Sequence, residues 1–346
     1  DPDAQISVPL AQHWVDGAGV QLHVRGATAP PPISRTGPIE KDPQGSRERK
    51  IFRDREGGYT NMDVPPATTK KITGDPLIVH ISDIHGYLTD AQSALGAVGD
   101  AEQYPDLVTT NESDQIHWAD NDYILVINGD VIDRGPANEA CLEMIWRLQS
   151  EAPPGRVRYH LGNHELAILL PSSVRWPGAY STNLDAADRH KFLERASERA
   201  VTAAFEGYQH IYSHAGQNEP FDVEEVNNAV QTAASKLLDV DGDDRALQKR
   251  LEQRYDRVFA LGGDGGRGPD AGLCWMDFSH LEPSAPPQIV GHTKRVSPVK
   301  NGNVVCGNII RMNHHSPGGE GVLIEGPDSL EVVRRKPSGS VSVSSI

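Results

Sequence analysis

Leu77-Ile78-Val79-His80-Ile81-Ser82-Asp83-Ile84-His85-Gly86 is the stretch on which the architecture turns. A short, mostly apolar run reads as a buried strand, and the polar Ser-Asp-x-His-Gly segment sits just past its carboxyl end. The same arrangement recurs downstream. Tyr123-Ile124-Leu125-Val126-Ile127 runs into Gly129-Asp130-Val131-Ile132-Asp133-Arg134-Gly135, and residues 156–161 run into Gly162-Asn163-His164-Glu165. Residues 208–212 precede Ser213-His214-Ala215-Gly216, and 288–290 precede Gly291-His292-Thr293. Helical patterns lie between them. One helix is expected from about Asp90 to Gln103; another starts after Pro136, with Ala140, Cys141, Met144, Ile145 and Leu148 at helical spacing. Strands alternating with helices describe an α/β protein. In open α/β sheets the carboxyl edge of the strands is where ligand sites form.

The side chains gathered at that edge are carboxylates, imidazoles and an amide, with no thiolate pair. Such a mixed oxygen and nitrogen set suits Mn, Fe or Zn and excludes an iron–sulfur cluster or a structural cysteine–zinc site. Asp83 and His85 are two residues apart, so on an extended segment both point the same way and can grip one ion. Asp130 is the candidate bridge to a second ion, which Asn163, His214 and His292 can complete. Two divalent ions roughly 3.5–4 Å apart can clamp a phosphoryl group and acidify a bound water. A bridging hydroxide would then attack phosphorus in line.

These five motifs, in this order, resemble those of the PPP phosphatases within the calcineurin-like metallophosphoesterase superfamily, over roughly residues 77–312. The resemblance implies an α/β fold, a four-layer α-β-β-α sandwich of the metallophosphoesterase type. It implies that Asp83, His85 and Asp130 hold the first metal and that Asp130, Asn163, His214 and His292 hold the second. It assigns His164 as the acid that protonates the leaving oxygen, Asp133 as the group that orients it, and Arg134 as a phosphate ligand. PPP enzymes bring a second phosphate-binding Arg from the stretch after a Leu-Trp segment. Leu273-Cys274-Trp275-Met276-Asp277 looks like that segment, yet no Arg lies between Trp275 and His292. Arg267 before it and Arg295 after the last motif are the two candidates, and the sequence does not choose between them. Gly291-His292-Thr293 lacks the second His that many phosphodiesterases of the superfamily use, which favours monoesters. The implied activity is a metal-dependent phosphomonoesterase acting on phosphoproteins (Ser/Thr, and Tyr as an option) or on a small phosphoester. A dinucleoside tetraphosphate hydrolase is the alternative, and a non-catalytic binding module of the same fold is the third reading.

Composition is compatible with this chemistry. The 346 residues can bury a sizeable core, and 37% are hydrophobic. A formal charge of −15 disfavours nonspecific binding to nucleic acid or to anionic membrane, since both are polyanions. No run of about 18 apolar residues suggests a membrane span. Three widely spaced cysteines, Cys141, Cys274 and Cys306, are no disulfide framework and favour a reducing, cytoplasmic setting. The chain begins at Asp1, so N-terminal processing stays open, as does the oligomeric state.

Along the chain, residues 1–71 are rich in Pro, Gly and polar residues and read as an irregular arm. The catalytic domain is expected over 72–336, with a polar helical cap over 171–204. A frayed, Ser-rich tail is expected over 337–346. His80, His160 and His210 lie inside apparent strands and read as packing groups. His314-His315 reads as a surface loop. Asp239, Asp241, Asp243 and Asp244 lack calcium-loop spacing and read as a solvated turn. Residues 262–268 read as a mobile glycine-rich loop near the site. Residues 304–310 and 321–333 read as strands of a second sheet.

Overall fold

The computed structural model describes residues 74–346; the arm read over 1–71 lies outside the described residues. Chain order begins β1 (Ile78–Ile81), α1 (Leu88–Gly96), β2 (Val108–Thr110), β3 (Ile116–Trp118), β4 (Ile124–Ile127), α2 (Asn138–Glu151), β5 (Val157–Tyr159) and α3 (Asn163–Leu169). It continues α4 (Tyr180–Asn183), α5 (Ala186–Ser197), β6 (Ala204–Glu206), β7 (Ile211–Ser213), α6 (Val223–Leu238), α7 (Arg245–Arg254), α8 (Asp256–Phe259) and β8 (Gln288–Val290). It closes with β9 (Val299–Asn301), β10 (Val304–Cys306), α9 (Ile310–Asn313), β11 (Gly321–Glu325), β12 (Leu330–Arg335) and β13 (Val341–Ser345).

Two sheets stack face to face. The first has strand order β13-β12-β11-β1-β4-β5 and the second β6-β7-β8-β10-β9. Strand alternation sets what each face buries. Ile78, Ile124, Val126, Leu323 and Val332 of the first sheet meet Phe205, Tyr212, Ile289 and Val305 of the second, which forms the inner core. Val79, Ile81, Leu125 and Ile127 point outward into the larger core under the helices. There α1 lies against β11 and β12, α2 against β5, and α6 against β6 on the other side. This is the four-layer α/β sandwich expected.

Several boundaries differ from the sequence reading. Helix α1 stops at Gly96 instead of running to Gln103. Gly96 and Gly99 weaken a helix there, and Gly99 lies so close to Asp106 that a side chain would collide. Residues 321–333 do form strands, but β11 pairs antiparallel with β1 and so extends the first sheet. Only 304–306 of the 304–310 run belong to the second sheet; Ile310 already starts α9. The tail expected to fray forms β13, paired with β12 along its length. Val341 and Val343 alternate with serines and pack on the core, a period-two signal hidden by the serine content. The glycine-rich loop is a built turn: Gly262 bridges Gly266, and Gly263 N donates to Asp270 Oδ1 at 2.9 Å. In the acidic turn, Asp244 binds Arg189 at 2.7 Å. The three cysteines are free and buried. Among the described residues no helix is long and apolar enough to cross a membrane.

Candidate active site

Strands β1, β4 and β5 run parallel, as do β7, β8 and β10. Their carboxyl ends therefore open on one edge, where Asp83, Asp130, Asn163, His214 and His292 follow. The two longest motifs are stitched together by backbone. Asp83 N donates to Gly129 O at 3.0 Å, His85 N to Asp130 O at 2.9 Å and Gly86 N to Val131 O at 2.8 Å. Gly86 and Gly135 touch at a distance no side chain permits, since a Cβ on Gly135 would stand 2.6 Å from the Gly86 carbonyl carbon. Ten non-glycine residues with positive φ occur among the described residues, and six are Asp83, His85, Asp130, Asp133, Arg134 and His292. Asp and His tolerate that region better than most residues. Arg134, at φ 84°, has no such tolerance, and backbone strain of this kind concentrates at functional sites.

The expected metal ligands come together and are buried. His85 Nδ1 donates to Ile132 O at 2.9 Å, so its Nε2 carries the lone pair. That Nε2 lies 3.5 Å from Asp130 Oδ2 and 3.9 Å from Asp83 Oδ1. His214 Nδ1 donates to Asn128 O at 2.8 Å, which aims its Nε2 lone pair at Asp130 Oδ1, 3.5 Å away. Asn163 Oδ1 stands 3.2 Å from His214 Nε2 and 3.0 Å from His292 Nδ1. Two groups of donor atoms, His85, Asp130, His164 and Asp130, His214, His292, each converge within 4.8 Å, and Asp130 belongs to both.

The donor chemistry fits cations. Asp83 Oδ1 is buried without a hydrogen-bond partner among the described residues. Oxygen and nitrogen lone pairs of Asn163, His214 and His292 face one point with no donor between them. Without a cation the Asn163 amide would gain by turning over to donate to His214, His292 and Asp130; the oxygen-inward orientation is the one a cation stabilises. Burial, with the nearby Asp130 charge adding to it and His214 opposing it, pushes the Asp83 carboxyl up to about 7. Burial also opposes the charge of Asp130, but His214 and His164 outweigh it and hold that carboxyl well below the usual range.

His164 is close enough to the first group to count as a donor, yet its surroundings suit a proton carrier better. Its Nδ1 is 2.6 Å from Asp133 Oδ2, and its Nε2 is 3.4 Å from Arg134 Nη2 and 4.0 Å from Asp130. Asp133 also accepts from Ser181 N at 2.9 Å and Ser181 Oγ at 2.7 Å. Burial opposes the Asp133 charge, and the bonds from His164 and Ser181 overcome it, leaving the carboxyl below its usual range.

The two arginines left open by the sequence point elsewhere. Arg267 is tied to Asp277 at 2.6 Å. Arg295 lies over the Phe278 ring, 5.1 Å from its centroid. Arg311 takes the place opposite Arg134: its Nη1 is 3.4 Å from His85 Nε2. The His85 and His164 rings are 4.8 Å apart, so the two guanidinium groups flank them from either side. Burial, then repulsion from Arg134, lowers the pKa of Arg311, while Asp83 and Asp130 oppose the shift. Sequence reasoning missed Arg311 although a signal existed: β10 is parallel to β8, so whatever follows β10 lands on the same edge.

Glu165 was also passed over. Buried at the end of the third motif, it accepts from Asp130 N, Val131 N and Gly162 N at 2.8–2.9 Å and so braces two ligand loops. Asn128 does the same beneath the site, donating to Ser213 O at 2.7 Å and Ile289 O at 3.1 Å across the sheets.

Comparison with solved structures gives the fold independently. A cold-active protein-tyrosine phosphatase from a psychrophilic Shewanella is 17% identical, with 85% of this chain and 89% of that one aligned and a TM-score of 0.55. A protein serine/threonine phosphatase from Saccharomyces cerevisiae is 13% identical over 82% and 83% of the two chains, with a TM-score of 0.43. A comparison with curated proteins gives no match. The family model for calcineurin-like phosphoesterases matches residues 76–293, which span all five motifs. With the motif loops converged at one sheet edge and that match covering most of the chain, the protein belongs to the calcineurin-like phosphoesterase family and is a hydrolase of phosphoester bonds.

Proposed function

We propose that the chain is a metal-dependent phosphomonoesterase with a dinuclear centre, acting on phosphoproteins at serine or threonine and secondarily at tyrosine. Asp83, His85 and Asp130 hold one cation; Asp130, Asn163, His214 and His292 hold the other. The observation that carries the reading is the Asp130 carboxylate, which serves both donor groups with one oxygen toward His85 and the other toward His214. Divalent cations there, Mn, Fe or Zn by the donor set, supply Lewis acidity and an acidified water.

The protein's own groups do the remaining work. Arg134 and Arg311 take the peripheral phosphate oxygens from two sides, with a planar fork that suits such oxygens. His164, its Nδ1 held by Asp133, presents Nε2 to the leaving oxygen and hands it a proton. Thr293 supports monoesters over diesters. Its Oγ1 is occupied by Phe278 N and Asp277 Oδ2 at 3.0 Å each, so nothing after His292 reaches toward a second ester arm.

The test is hydrolysis of p-nitrophenyl phosphate by metal-stripped protein refilled with Mn, beside Asp130→Asn. Activity that returns with metal in the wild type, and both metal content and turnover lost in Asp130→Asn, is the expected result. A variant that binds two metals and turns over normally removes the bridging role. Phosphopeptides and dinucleoside tetraphosphates assayed side by side then separate the phosphoprotein reading from its alternative.

A further inference from the structure

The segment between α3 and α5 makes two contacts that the reaction outlined above does not use. Trp176 lies flat on the His164 imidazole, with ring centroids 4.2 Å apart and planes 16° from parallel. Five residues on, Ser181 gives both its backbone N–H and its hydroxyl to Asp133. One short turn thus touches both members of the Asp133–His164 pair, and none of its residues is near enough to serve as a metal ligand. The turn is itself held: Ala179 N donates to Trp176 O at 3.1 Å, and Trp176 N to Thr182 Oγ1 at 3.2 Å. The Trp176 indole leans on Trp275, 5.9 Å away, whose ring stands 6.4 Å from His292.

A ring nitrogen delivers a proton well only if both its direction and its tautomer are set. The Asp133 bond fixes one point of the imidazole but leaves its plane free to swing about the ring's own axis, a soft torsion. A stacked indole removes that swing. Asp133 in turn has two oxygens and could rotate; the two Ser181 donors, one on each oxygen, fix it. Misplacing a reacting group by about 1 Å can cost on the order of a hundredfold in rate.

We propose that Trp176 and Ser181 are positioning residues: the turn they bracket holds the Asp133–His164 pair aligned on the leaving oxygen and thereby sets how well esters of poor leaving groups are cleaved. This rests on the phosphomonoesterase reading for its role in turnover. An alkoxide leaving group, as from phosphoserine, depends on the proton; a nitrophenolate scarcely does. The turn is therefore a device that suits the site to alkyl phosphates.

Ser181→Ala and Trp176→Ala are compared with Ser181→Thr and Trp176→Phe, which keep the hydroxyl and the aromatic face. With Mn-loaded protein, kcat for alkyl phosphates is expected to fall about tenfold in the alanine variants, while kcat for p-nitrophenyl phosphate changes less than about twofold. KM and metal content are expected to stay unchanged, and the conservative variants to restore the rate. Equal slowing for both leaving groups, or no slowing for either, overturns the proposal. A second readout needs no turnover. Histidine-selective nitrogen-15 NMR of the metal-free protein is expected to show one His164 tautomer, with Nδ1 protonated, in the wild type and a mixture in both alanine variants. A ring unchanged in both overturns the proposal even if the wild type hydrolyses no phosphoester, a result that would count against the phosphomonoesterase reading alone.

Discussion

Arg134 and Arg311 are the free cationic groups pressed closest to the paired imidazoles, in a chain whose formal charge is −15. A local positive field inside an acidic molecule draws anions to one point. If both guanidinium groups bind phosphate, Arg311→Ala and Arg134→Ala should each weaken inhibition by inorganic phosphate by about tenfold, the scale of one charge-assisted contact. Metal content should not change. Arg311→Lys should recover only part, because a point charge replaces a fork. Phosphate inhibition constants at fixed ionic strength decide this, and an unaffected Arg311→Ala would leave Arg134 as the sole anion ligand. Residue by residue, the ligands were legible because five motifs repeat one rule: an apolar run, then a polar cluster at its end. Arg311 was not, because its motif has no such polar cluster and the resemblance directed attention to the stretch before His292.

The elements explain why the ligands can meet at all. The motif after β1 and the motif after β4 share backbone hydrogen bonds over their whole length, and Gly86 against Gly135 is the tightest point. Adding one methyl group there must push two backbones apart. Gly135→Ala is expected to lower stability by about 2 kcal/mol, within the range for overpacking, and also to reduce metal content, since His85 and Asp130 ride on the two loops. A thermal melt and metal analysis on the same preparation check both. Loss of stability with full metal occupancy would show that the loops relax without moving their side chains. Strand positions were legible from apolar runs, while strand partners were not. Residues 321–325 carry no sign that they pair with β1, because hydrogen bonding across a sheet leaves no local pattern. The alternating valines of β13 were present but masked by composition.

At the scale of the molecule, the inner core between the sheets holds one imidazole that the site does not use. His80 is buried, neither ring nitrogen has a partner among the described residues, and burial lowers its pKa to about 3. The unfolded chain takes up this proton near pH 6.5, while the folded chain refuses it until about pH 3. Its contribution to stability is therefore complete above pH 6.5 and declines as pH falls through the window between the two values. Between pH 6.5 and 5 the decline is about 2 kcal/mol. His80→Leu should remove it, so urea unfolding at the two pH values should show a smaller difference in the variant than in the wild type. Equal differences would mean that His80 is charged in the folded protein.

The order of the first sheet has a consequence for how the protein is made. Val79 pairs with Leu125 on one side and with Ile324 on the other. As the chain leaves the ribosome, β1 and β4 can join early, but the free edge of β1 stays uncovered until residues beyond 320 emerge. Asp83 and His85 hang from that half-finished strand. The centre is thus completed near the end of synthesis, and a nascent chain stalled before β11 would present an open strand edge, prone to pairing with a neighbouring copy.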